Sequence, residues 1–334
     1  MRTTNLTRRR GVRSTAILSA VVLAASGIFA TMGTAGASVT RGGGTNAQDV
    51  PNFYKDAQGL ALQLCTDANV NRCEAPVDDH IGVYFAAEAG VGPLERAIYG
   101  VEAVQNADNP AGAPLVSNGA RLRLDGRPNT RYTIKDPWRT RTCRTNAIGV
   151  GDCRFETNGN VDTVQNGYVT TFLHSAGRKG AAFVGNANLT SRVFGSPTGF
   201  NRVRITAPGG RSWTTRRFSL MGQKRANTAM SMISRESLQL GNGSQSAVIQ
   251  RSVGYSSLGT AAARPRVSKG GQNPRAFSVQ NQCGSQAPGS RCSIVVTFRP
   301  SQNANSTKRA FLRIDDNSLA APRRVTLRGV GVRR

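Results

Sequence analysis

The apolar residues of this chain recur at every second position far more persistently than at any helical period. Leu60, Leu62 and Leu64 alternate with Ala61 and Gln63, and Ile294, Val296 and Phe298 alternate with Ser293, Val295 and Thr297. Ala310, Leu312 and Ile314 share a parity that leaves Phe311 and Arg313 on the other side. That alternation belongs to strands with one buried face. Further runs of the same kind, HIGVYFAAEA, RAIYGVEAV, ARLRLDG, TRYTIKD, YVTTFLH, FNRVRITA and RSWTTRRFSL, are separated by clusters of Gly, Pro, Asn and Asp, the residues that turn a chain. No stretch keeps an apolar 3.6-residue period for more than about three helical turns. The expectation is all-β, with two β-sandwich-like domains.

Residues 1–37 read as a signal peptide: the basic leader MRTTNLTRRRGVR, the apolar run TAILSAVVLAASGIFA, and Ala35-Gly36-Ala37 before a cleavage at Ser38. The arginines at 8, 9 and 10 keep twin-arginine export open beside the general route. The mature chain is therefore expected to be secreted or extracellular, and no later stretch is long and apolar enough to span a bilayer. Residues 38–52, Gly-rich and polar, read as a flexible leader, 53–222 as a β-rich N-terminal domain, 223–234 as a linker, and 235–334 as a second domain of seven short extended segments.

Six cysteines fall into three close pairs, Cys65 with Cys73, Cys143 with Cys153, and Cys283 with Cys292. Each pair flanks a loop-like segment, so local disulfides in an oxidising compartment are the simplest arrangement. Zinc sites want Cys-x2-Cys or nearby histidines, and this chain has neither; no metal and no cofactor is expected.

The net charge of +26 is unevenly spread. From residue 219 onward there are 18 basic residues against Glu236, Asp315 and Asp316, a net of +15. A GC-rich genome explains why only six of the 44 basic residues are Lys, but not why acids are missing. A field of that strength recruits polyanions within about 8 Å of the surface at physiological salt. Arg299, Arg313 and Arg328 fall at outward positions by the alternation, with Arg264, Arg266, Lys269, Arg323 and Arg324 in nearby turns or strand ends. Aligned, they form a stripe suited to phosphate or carboxylate by bidentate pairing. The alternative is scattered, solvated arginines. Sequence-specific nucleic-acid binding is not expected, because single-strand readers also need stacking aromatics and Phe298 belongs to the core.

Catalytic signals are thin. His80 follows Asp78 and Asp79 and reads as a polar turn before a strand, while His174 ends an apolar strand. GYSSLG at 254–259 lacks the Gly-x-Ser-x-Gly spacing of a nucleophile elbow. Glu88, Glu95 and Glu102 are the clustered acids, expected on the solvent side of strands, and Asp315-Asp316-Asn317 reads as a solvated turn.

Phe277-Ser278, Cys283, Pro288-Gly289, Cys292, Val296-Thr297-Phe298-Arg299-Pro300, Leu312-Arg313-Ile314 and the ending Val325-Thr326-Leu327-Arg328-Gly329-Val330-Gly331 resemble the ASH/HYDIN-type domain, known in bacterial secreted proteins as choice-of-anchor D. The resemblance implies a seven-stranded immunoglobulin-like sandwich over about residues 235–332, a binding or spacer module without catalytic residues. DAQGLALQLCTD, Cys73, YFAAEA, YTIKDPW and GSPTGFNRVRITAPGG resemble the N-terminal region of an uncharacterised actinobacterial secreted-protein family, which implies localisation and architecture and no activity.

The function expected is a secreted, non-enzymatic binding or structural protein, held at the cell envelope by its basic domain through anionic cell-wall polymer or lipid head groups. The alternative is a secreted carbohydrate or ester hydrolase with an accessory immunoglobulin-like domain. It requires Glu88 or Glu102 to face a second carboxylate across a cleft.

Overall fold

A computed structural model describes residues 39–45, 50–65, 80–104, 114–159, 167–177, 181–244, 247–300 and 306–332, with only the backbone described at 80, 81 and 156–159. The expected signal peptide, Cys73, Asp78 and Asp79 lie outside the described residues. Ala37–Arg334 forms one compact unit.

The fold is all-β. Among the described residues no α-helix occurs, and Pro274–Ala276 forms a 3-10 turn. The N-terminal part holds a seven-stranded antiparallel sheet in the order His174–Ser175, Ser191–Phe194, Arg217–Met221, His80–Val91, Leu94–Val104, Leu115–Asp125, Val150–Gly159. A four-stranded sheet, Ser212–Thr215, Val203–Thr206, Arg131–Lys135 and Thr140–Arg144, accompanies it. A second runs Thr40–Thr45, Pro51–Lys55, Ala61–Gln63 and Gln223–Lys224. All three feed one apolar cluster, through Tyr54 and Leu62, Tyr84 and Tyr99, and Ile134 and Val203. The Cys143–Cys153 disulfide joins the strand Thr140–Arg144 to Val150–Gly159, tying two sheets together.

The C-terminal part is a sandwich of two four-stranded sheets. One is Ser231–Ile233, Ile249–Ser257, Arg291–Phe298 and Phe277–Asn281; the other is Ser237–Gly243, Arg323–Gly331, Ser306–Asp315 and Arg266–Gly270. Ile294, Val296 and Phe298 from one sheet meet Leu312, Ile314 and Leu327 from the other in a second apolar cluster. The alternation fixes which residues meet, since a one-residue slip would turn each set to solvent. The disulfide Cys283–Cys292 closes the loop between Phe277–Asn281 and Arg291–Phe298, next to the pair Asn281 and Ile294. Cys65 is disulfide-bonded as well.

Three stretches differ from the sequence expectation. The described part of the Gly-rich leader forms a strand: Thr40–Thr45 pairs with Pro51–Lys55, and Val39 and Val50 are buried. Its glycines make room for Phe53, because a Cβ on Gly42 would lie 2.3 Å from the ring's Cζ. The expected linker is also structured, with Gln223–Lys224 pairing with Ala61–Gln63 and Ser231–Ile233 adding to the C-terminal sandwich. Its Met230 belongs to the N-terminal cluster.

The run YVTTFLH is not a strand until His174. Tyr168, Val169, Thr171, Phe172 and Leu173 are all buried, and they pair with no neighbouring strand. Side chains take the ladder's place: Asn118 accepts from the Val169 N–H at 2.7 Å and donates to its carbonyl at 3.0 Å, and Asp56 accepts from the Phe172 N–H at 2.8 Å. The buried backbone polar groups are thereby satisfied.

Candidate anion-binding face

The sheet containing Arg323–Gly331 and Ser306–Asp315 turns Val325, Leu327, Leu312 and Ile314 inward. The opposite parity therefore faces solvent, and on it lie Arg324, Thr326 and Arg328 beside Arg309, Phe311 and Arg313. The register sets Arg313 directly across from Arg324 and Arg309 directly across from Arg328, with Phe311 opposite Thr326 between the two pairs. Residues so paired have Cβ atoms about 5 Å apart, and like charges at that spacing destabilise a sheet.

Phe311 organises the patch. It pairs with Gly270 on the edge strand, and a Cβ on Gly270 would lie 2.4 Å from its Cζ, so the ring lies over bare backbone. The Arg324 guanidinium sits 3.8 Å from the ring centroid. Stacking holds this planar fork while leaving its N–H edge available for an oxyanion. Arg313 makes an exposed pair with Asp315 at 3.0 Å, and Asp315 is the one carboxylate among the residues paired across this sheet. Arg266, opposite Asp315, extends the face at its edge.

The sandwich's other outward face is different. It carries Gln250, Ser252, Ser278, Gln280 and Val295, with Arg291 at one end, Arg299 just past the other, and Arg251 exposed on the strand Ile249–Ser257.

Of the residues singled out in the sequence, Arg266, Arg313, Arg324 and Arg328 come together on this face. Arg309 joins them and was missed, although it shares the parity of Phe311 and Arg313. Arg264 lies in a loop where its N–H donates to Asn317, and Arg299 follows a strand of the other sheet, its N–H bonded to Ala276. Lys269 has the inward parity of Val267 and sends its Nζ to the Phe277 carbonyl at 2.6 Å, closing the sandwich edge.

Arg323 is a correction. It has the inward parity of Val325 and Leu327, and its guanidinium donates to the carbonyls of Gln58, at 2.5 Å, and Ser231. Burial lowers its pKa, opposed by the charges of Asp316 and Asp56. Asp316 accepts hydrogen bonds from Tyr255 at 2.6 Å and Ser231 at 2.7 Å. Burial acts to raise its pKa, but those bonds and one from Ser318 outweigh it and hold the carboxyl low. Asp316 is thus part of an internal network rather than a solvated turn. Asp56 accepts from the N–H groups of Gln58, Leu60 and Phe172, yet burial pushes it up to about 6. Nearby, Lys224 is buried with its Nζ donating to the Leu258 carbonyl at 2.6 Å, and burial pulls it down to about 7. These groups tie the N-terminal sheets to the C-terminal sandwich.

Among the described residues, Glu88 and Glu102 do not come together. Glu88 pairs with Arg96 at 2.7 Å on an exposed surface. Glu102 lies across from Val83, five residues from Glu88 along the neighbouring strand, a separation of roughly 15 Å. Glycosidase carboxyl pairs stand about 5–9.5 Å apart. His174 is buried, its ring stacked at 6.0 Å on Phe194.

No family model matches the chain, and no curated protein does. Among solved structures, a protein of unknown function from Porphyromonas gingivalis W83 is 11% identical, with 65% of this chain and 91% of that one covered and a TM-score of 0.27. An endo-fucoidan hydrolase of glycoside hydrolase family 107 is 10% identical over 76% of this chain and 39% of its own, with a TM-score of 0.24. Mouse Cadherin-23 EC22-24 is 8% identical over 82% and 91%, again at 0.24. Likeness this slight supports neither a shared family nor a shared function.

Proposed function

We propose that this is a secreted, non-enzymatic binding protein whose basic C-terminal face holds anionic polymer of the cell envelope. One observation carries the reading: two Arg–Arg cross-strand pairs stand on either side of Phe311, with Arg324 of one pair stacked on its ring, all on one face of the sandwich. Repulsion across both pairs weakens the free sheet, and a polyanion laid along the face relieves it. The ASH/HYDIN-type resemblance, which implies a binding or spacer module, agrees with this reading.

The test uses the chain from residue 38 onward, because Arg323 and Lys224 bind its two parts together. Linear polyphosphate and vesicles containing an anionic phospholipid serve as separate probes of wall polymer and lipid head group. Four exposed charge contacts at about 0.7 kcal/mol each make replacement of Arg309, Arg313, Arg324 and Arg328 by Gln cost about 100-fold in affinity. Binding should weaken steeply with salt. Salt-insensitive retention on either probe sinks the proposal.

A further inference from the structure

At one end of the N-terminal part, three turns far apart in sequence converge around a groove of about 650 Å³. The turn after His80–Val91 contributes Pro93, the turn after Leu115–Asp125 contributes Arg127 and Pro128, and the loop after Val203–Thr206 contributes Arg211. Trp213 and Tyr132 line the groove from two strands of one sheet.

The walls are built. Gly92, at φ 55°, lies so close to Trp213 that a Cβ there would be 2.5 Å from the indole Cγ. The Arg211 guanidinium lies 4.8 Å from the indole ring. Two successive glycines at positive φ, Gly209 and Gly210, turn the chain so that Arg211 follows immediately, and the Ala207 N–H closes the loop onto the Arg211 carbonyl at 2.9 Å. Tyr132 is buried, and its hydroxyl accepts from the Arg127 N–H at 2.9 Å. Beyond the wall, Gly149 packs on Gly126, and its neighbour Ile148 is 79% exposed.

The lining chemistry is one-sided. Its side chains offer hydrogen-bond donors in Arg127, Arg211 and the indole N–H, while the one side-chain oxygen, on Tyr132, is already engaged. No carboxylate or amide side chain lines the groove, and neither arginine makes an ion pair with a described carboxylate. A cation needs acids, and a neutral sugar leaves both guanidinium charges unmatched. An apolar body ending in an oxyanion suits both the rings and the guanidinium groups, and the volume is that of a small-ligand site.

We propose that this groove binds a small apolar carboxylate, its body against Trp213 and the prolines and its carboxylate between Arg127 and Arg211. This is a site separate from the basic face of the sandwich.

Calorimetric titration of the chain from residue 38 with 2-naphthoate and with decanoate tests it, the two probes separating aromatic from acyl sources. At least one is expected to bind with a Kd below about 1 mM, and about tenfold more tightly than 2-naphthylmethanol or decanol. Arg127→Gln and Arg211→Gln should each weaken that binding about tenfold, while Arg309→Gln with Arg328→Gln leaves it unchanged. Both arginines of the groove sit at exposed turn positions, so the folded state survives their replacement, which circular dichroism checks. Absence of binding by both carboxylates up to about 10 mM, equal binding of the alcohols, tighter binding of trigalacturonate, or insensitivity to the two groove variants overturns the proposal.

Discussion

Lys224 makes the stability of this protein depend on pH in a direction opposite to most buried acids. Burial lowers its pKa from 10.5 to about 7, so between those values the unfolded chain carries a proton that the folded chain lacks. Stability then rises with pH, is complete above 10.5, and is lost as pH falls through about 7. Tyr84, Tyr168 and Tyr255 have pKa values raised by burial and act the other way above pH 10, so the useful window is pH 7 to 9.5. At about 1.4 kcal/mol per pH unit, Lys224 contributes a rise of about 3 kcal/mol across it. Urea unfolding of the chain from residue 38 at several pH values measures this, with Lys224→Met as the comparison. The variant should lose the slope and, at pH 9.5, the hydrogen bond to Leu258. A wild type whose stability is flat or falls across the window, or a variant that keeps the rise, refutes the reasoning.

Other consequences follow from the same geometry. Arg328→Glu replaces a like-charge pair by an opposite one across from Arg309, and should raise stability by about 0.5–1 kcal/mol while weakening polyphosphate binding more than about tenfold; loss of stability with binding intact contradicts it. Gly270→Val drives a Cβ into the Phe311 ring, costing about 1–3 kcal/mol in denaturant unfolding and lowering polyanion affinity by releasing the stacked Arg324. Replacing both Cys283 and Cys292 by Ser opens a nine-residue separation and should cost about 2–3 kcal/mol, measured under oxidising conditions.

Much of the C-terminal sandwich was legible because its large apolar residues are buried at every second position. Ile294, Val296 and Phe298, and Leu312 and Ile314, are all fully buried as their alternation requires. The same parity, carried outward to Arg309 and inward to Arg323, decides which arginine belongs to the face, and a reading that stops at strand ends misses both. Elsewhere the local pattern misleads. Residues 168–173 look like a strand because they are apolar, yet they are enclosed on every side and their backbone is satisfied by Asn118 and Asp56, partners 51 and 116 residues away. Thr40–Thr45 looks like a loose leader because glycine has no side chain to reveal burial, although those glycines are what Phe53 covers. The groove beside Trp213 was not visible because its walls come from three separate turns.

On the proposed function, polyanion binding depends on the placement of charge and not on its amount. This is tested most directly by comparing two variants of equal net charge for polyphosphate affinity across a salt series. One carries Gln at Arg309, Arg313, Arg324 and Arg328. The other carries Gln at Arg131, Arg144, Arg192 and Arg217, two exposed Arg–Arg cross-strand pairs of the N-terminal sheets. The first is expected to lose about 100-fold in affinity with a shallower salt dependence, and the second to bind nearly as the unaltered chain does. Equal losses in both variants contradict it, and would make the arginines a diffuse property of composition.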